Sequence, residues 1–97
     1  MIVAVCVFEL HVPHARGLKE KRKVVKGLVE RVHARFKVSI AETDFHDLHQ
    51  RAEVSLALIA QREDEAERML ETIRSLIESE PESYLSSWDP QMLDWSS

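Results

Sequence analysis

The stretch Ile2-Val3-Ala4-Val5-Cys6-Val7-Phe8-Glu9-Leu10-His11 decides how this chain folds. It is rich in Val, Ile and Phe, largely apolar on both alternating faces, and stops at Pro13, the signature of a central strand. Its even residues (Ile2, Ala4, Cys6, Phe8, Leu10) are purely apolar and are assigned to a face covered by helices. The odd residues (Val3, Val5, Val7, Glu9, His11) are left for an open face.

Leu18, Val25, Leu28, Val32 and Phe36 follow at helical spacing, with Val24 and Val29 widening the stripe, and predict a helix of about five turns. Val38 and Ile40 alternate with Ser39 and Ala41, a short strand before a polar segment from Asp44 to Gln50. Ala52, Val54, Leu56, Leu58 and Ala60 alternate strictly, giving a second long strand with Glu53, Ser55, Ala57, Ile59 and Gln61 on its open side. Asp64 and Glu67 read as a capping box before Ala66, Met69, Leu70, Ile73, Leu76 and Ile77, an amphipathic helix closed by Pro81. Tyr84 to Asp89 form the last strand, which Pro90 is expected to end.

The order β-α-β-β-α-β predicts an α+β, ferredoxin-like sandwich, a four-stranded antiparallel sheet of order 4-1-3-2 with two helices on one face. Right-handed crossovers place strands one and three in the centre, and these are the longest and most apolar. The outer strands are short, Ser-rich or bounded by Pro90, as edges should be. Ninety-seven residues suit a single domain, expected over 1–97.

The composition, 44% hydrophobic and 31% charged, is that of an ordinary globular chain. Cys6 is the lone cysteine, so no internal disulfide can form, and its apolar neighbours point to an inert thiol in a reducing compartment. Ile2 to Leu10 lacks a basic flank and a small-residue cleavage site, so it is no signal peptide. No apolar run approaches the roughly 18 residues of a membrane span. The expected location is the cytoplasm, without a membrane partner.

Charge is unevenly spread. Residues 16 to 37 hold nine Lys or Arg against Glu20 and Glu30, a local charge of +7 on a chain whose net charge is −4. With Leu18, Val25, Leu28 and Val32 toward the core, Lys19, Arg22, Lys23 and Lys26 fall together on the exposed face, and Arg16 precedes them. Such a cluster holds phosphates by Coulomb attraction and counterion release, aided by the helix N-terminus. The candidate nucleic-acid-binding set is Arg16, Lys19, Lys21, Arg22, Lys23, Lys26 and Arg35. The competing reading is a solvated face that answers the acidic second helix, with Glu63, Asp64, Glu65, Glu67 and Glu71.

Three motifs carry a resemblance: Gly17-Leu18-Lys19-Glu20-Lys21-Arg22, Arg35-Phe36-Lys37-Val38-Ser39-Ile40-Ala41-Glu42 and Asp47-Leu48-His49-Gln50-Arg51-Ala52. In this order they resemble the bacterial YlxP-like family, small domains of unknown function. Gly17, Lys37 and Ser55 depart from the family pattern of Ser, Asn and Gly, and the first change removes an N-cap hydroxyl. The resemblance implies a ferredoxin-like fold, a cytoplasmic bacterial protein, and, through neighbouring translation and ribosome-maturation genes, an RNA-linked role.

Other constellations carry less. Base stacking across the open sheet needs aromatics on the central strands, where Val3, Val5, Val7, Ser55, Ala57 and Ile59 stand instead. Trp88 and Tyr84 suit core or dimer packing. His11, His14, His46 and His49, with Asp44 and Asp47, gather at one end of the sheet but lack zinc-site spacing, so no metal or cofactor is assigned. Asp47 suits an Asx-type turn. Glu42 and Asp47 have no nucleophile or Gly-rich phosphate loop beside them, so no enzyme is expected.

The leading expectation is therefore a non-enzymatic accessory protein that binds structured RNA or a ribosomal precursor. A homodimer through the apolar open sheet is the alternative, and a metal- or anion-binding His-rich end the third. Either the tail (Met92, Leu93, Trp95) or a second copy is expected to cover the open face.

Overall fold

The computed structural model describes residues 1–96; Ser97, the last residue of the expected domain, lies outside the described residues. Strand β1 (Ile2–His11) leads into helix α1 (Leu18–Arg35), then β2 (Val38–Asp44), β3 (Arg51–Ala60), helix α2 (Glu63–Glu78) and β4 (Tyr84–Asp94). The sheet is antiparallel in the order β2-β3-β1-β4, the expected 4-1-3-2 read from the other edge. β1 and β3 pair without a break from Ile2 opposite Ala60 to His11 opposite Arg51.

That register sorts the faces as their alternation predicts. Ile2, Ala4, Cys6, Phe8 and Leu10 share one buried face with Ala52, Val54, Leu56, Leu58 and Ala60. Val25, Leu28 and Val32 of α1 and Ala66, Leu70, Ile73 and Ile77 of α2 pack onto it and complete the core. Each fully buried Leu, Ile or Phe contributes about 1.5–3 kcal/mol, so this layer is what holds both helices on the sheet.

Local signals differ from expectation at two places, Pro90 and Asp64. Pro90 does not end β4, which continues to Asp94 with Pro90 opposite Cys6. An edge strand accepts proline because the nitrogen that lacks a hydrogen can face away from the ladder. Asp64 is not an N-cap: Arg62 holds that position and Asp64 lies in the first turn, where the acidic run Glu63 to Glu65 complements the helix dipole. At α1 the cap is Gly17, which supplies no side-chain bond; Glu20 Oε2 instead accepts from the Arg16 backbone N–H at 3.1 Å.

The tail does not fold over the open face. Met92 pairs with Ala4 and packs against the core, Leu93 pairs with Val3, and the Trp95 N–H donates to the Met1 carbonyl at 2.8 Å. Val5, Ile59 and Leu93 are consequently exposed on the open side.

Candidate nucleic-acid interface

Lys21 heads a stripe with Val25, Leu28 and Val32 at helical spacing, all of it facing the core. Its side chain is 0% exposed. The ammonium donates to the carbonyls of Phe45 at 2.8 Å, Arg51 at 3.2 Å and His46 at 3.4 Å, and lies 3.0 Å from Glu42 Oε2. A buried ammonium costs several kcal/mol unless its hydrogens and charge are met. Here carbonyls and a carboxylate meet both. Lys21 is thereby removed from the phosphate-contacting set: the expectation that it faces solvent is corrected.

The turn that supplies those carbonyls is unusual. Phe45 adopts φ 63°, a left-handed conformation that costs a bulky residue about 1 kcal/mol or more. Asp44 Oδ1 accepts the Phe45 N–H at 2.7 Å, and the Arg51 guanidinium lies over the Phe45 ring, 4.4 Å from its centre. Gln50 donates its side-chain amide to the Pro13 carbonyl at 3.2 Å, and its own carbonyl accepts from the Val12 N–H at 2.9 Å. The β1–α1 loop, the start of α1 and the β2–β3 turn are locked together there. These contacts account structurally for the Glu20-Lys21 and Gln50-Arg51 parts of the motifs.

The remaining cations stay outside. Arg16, Lys19, Arg22, Lys23, Lys26 and Arg35 are exposed. Among the described residues Lys26 has a long contact to Glu30, 3.9 Å, with both side chains largely in water, and Arg16, Lys19, Arg22, Lys23 and Arg35 form no ion pair. Arg35 sits at the far end of α1, beside the Phe36 ring, so the compact cluster is Arg16 to Lys26.

The acidic helix does not answer this cluster. Asp64 takes two hydrogen bonds from Arg62, at 3.0 and 3.1 Å, which hold its carboxyl below the usual range, and Arg68 also reaches it. Glu78 pairs with Arg74. One ion pair, Arg31 to Glu80, joins α1 to the segment that follows α2, well past the cluster.

Beside the cluster lies a cleft of about 290 Å³ between the β1–α1 loop, the first turns of α1 and the α2–β4 connection. Val12, Ala15, Val24 and Pro81 form its apolar walls, with Glu20, Lys23, Glu82 and His14 around them.

The histidines do not converge. His11 stacks on Tyr84, ring centres 5.0 Å apart, and His46 contacts the Glu42 carbonyl. Among the described residues no three His, Cys, Asp or Glu side chains are gathered as a metal would need. Trp88 is half-buried against Phe8, ring centres 5.3 Å apart, and Glu42 is committed to Lys21. Among the described residues no helix is long and apolar enough to cross a membrane.

Comparison with known proteins agrees with this architecture. The model of a family described as proteins of unknown function (DUF503) matches residues 3–89. The uncharacterized protein YlxP of Bacillus subtilis is 37% identical over 68 residues, covering 70% of this chain and 74% of that protein. A de novo designed protein with ferredoxin fold, solved by solution NMR, superposes with a TM-score of 0.57 at 19% identity, covering 100% of this chain and 90% of the design.

Proposed function

From the premise that this chain belongs to the DUF503, YlxP-like family of unknown function, we propose that it is a non-enzymatic cytoplasmic protein that binds structured RNA by the exposed face of α1. The single observation that carries the reading is the set Arg16, Lys19, Arg22 and Lys23, whose side chains are exposed and form no ion pair among the described residues, while Asp64 and Glu78 of the neighbouring acidic helix pair with Arg62, Arg68 and Arg74 instead. On a chain of net charge −4, such a concentration of positive potential selects a polyanion and steers it to one place. The contacts reach phosphates, so they favour nucleic acid without reading a particular sequence. The buried lone thiol suits the reducing cytoplasm.

The test is fluorescence anisotropy of a labelled RNA hairpin across a salt series. The quadruple variant Lys19→Glu, Arg22→Glu, Lys23→Glu, Lys26→Glu should lose binding and keep its melting transition. Equal binding by the folded variant overturns the reading.

A second reading, a homodimer through the open sheet, is favoured by one observation. Ile59 (66% exposed) and Leu93 (52%) flank Val3 in the register, an apolar row across three strands. A second copy would present the same flat, uncharged row to it.

A further inference from the structure

We propose that the cleft beside Lys23 is a pocket for one unpaired guanine base of the bound RNA; this rests on the RNA-binding reading and names what that site selects. The cleft is close to the roughly 300 Å³ at which ligand pockets begin, the scale of a small flat ring system rather than an extended ligand. Its walls, Val12, Ala15, Val24 and Pro81, offer a planar ring apolar contact.

Its charges sort the parts of a nucleotide. Glu20, Lys23 and Val24 stand at i, i+3 and i+4 of α1, so one helix face carries an acid, a base and an apolar wall together. Lys23 belongs to both the cleft and the basic cluster, with Lys19 one turn before it. Phosphate is therefore drawn to the helix face, while Glu20 and Glu82 repel it from the cleft and leave that space to an uncharged base.

The same carboxylates choose the base. A carboxylate only accepts hydrogen bonds. The Watson–Crick edge of guanine offers two adjacent donors, N1–H and the 2-amino group, which match a carboxylate bidentately. Adenine presents an acceptor at N1 beside its amino group, and uracil and cytosine offer a single donor group on that edge. Glu20 spends Oε2 on the Arg16 N–H, whereas among the described residues the Glu82 carboxylate accepts no hydrogen bond, which leaves both of its oxygens for a base. Single-stranded bases splayed from loops and bulges are what sequence-selective RNA binding ordinarily takes up.

The experiment is titration of the 15N-labelled protein with guanosine 5′-monophosphate, inosine 5′-monophosphate and adenosine 5′-monophosphate. The guanine nucleotide should shift the amides of Ala15, Val24 and Glu82 and bind about tenfold tighter than the adenine one, the size of one bidentate pair. Inosine, which lacks the 2-amino group, should fall between. Glu82→Gln should erase the preference, and Val24→Trp should fill the cleft and abolish the shifts. Equal affinities for the three nucleotides, or shifts elsewhere, overturn the proposal without any variant having to fold. A hairpin with an all-adenosine loop and the same hairpin with one loop guanosine separate the two ideas. Equal salt-sensitive binding of both overturns the pocket and spares the basic face, whereas binding of neither overturns both.

Discussion

The Lys21 ammonium lies 3.0 Å from the Glu42 carboxylate, joining the first turns of α1 to the end of β2 beneath the left-handed turn at Phe45. The pair closes a corner where three carbonyls also converge on the same, fully buried nitrogen.

Removing one partner leaves the other charge, or the carbonyls, unmet. Lys21→Met should destabilise the protein by about 3–5 kcal/mol, read from urea unfolding. Glu42→Gln, which keeps a polar oxygen in place, should lose less. A loss from Lys21→Met no larger than that of an exposed lysine such as Lys19→Met would refute the structural role.

The exposed cluster predicts a salt law. If Arg16, Lys19, Arg22, Lys23 and Lys26 each neutralise one phosphate of duplex RNA, log K should fall with log salt at a slope of about −4.5. Lys19→Ala or Arg22→Ala should lower that slope by roughly 1 each. Arg31→Ala should leave it unchanged, because Arg31 is already paired with Glu80.

For the sheet face, Val5→Lys and Ile59→Lys place a charge among exposed apolar residues. Sedimentation equilibrium should show a dimer for the parent and a monomer for either variant. An unchanged mass in both variants discards the sheet interface.

How much of this was legible in the residues varies with how local the cause is. Face assignment in β1 and β3 follows from strict alternation, and the element order follows from period and punctuation, so both read directly. Lys21 was misplaced because its charge outweighed its position, although Val25 and Leu28 at i+4 and i+7 mark it as core-facing. Its partners, the carbonyls of Phe45, His46 and Arg51, come from backbone 24 to 30 residues away and have no side-chain signature. Nor does a phenylalanine announce positive φ, as Gly or Asn would. The cleft joins three distant segments, and only the fold brings them together.

Gly17, the N-cap of α1, and Gly27, within the helix, both have open space where a Cβ would stand, with nothing within 4 Å. Gly27→Ala, in mid-helix, should stabilise by about 0.5–1 kcal/mol by removing backbone entropy from the unfolded chain. Gly17→Ser should add a few tenths of a kcal/mol through the missing N-cap bond. Thermal melts of both variants check this, and a lowered midpoint for Gly27→Ala would contradict the open space around it.

Burial pushes the Cys6 thiol up to about 11, from an ordinary value near 9.0. The folded state therefore holds the proton more tightly than the unfolded one. The stabilisation from this site is complete below about 9 and declines as pH rises through about 11. Denaturation midpoints should fall between pH 8 and pH 10.5, less steeply in Cys6→Ala. Native protein at pH 8 should resist thiol reagents until it opens; prompt labelling would show that the site is not shielded.

Pro90 in the middle of β4 has a further effect on what this sheet can recruit. An incoming strand would meet a missing donor halfway along one border, and on the opposite border it would meet the bulge between Glu42 and Asp44. Neither border offers a continuous template, so end-on growth into fibrils or capture of an extended peptide is disfavoured at both sides. Self-association is thereby channelled onto the broad surface of the sheet, where it can be finite.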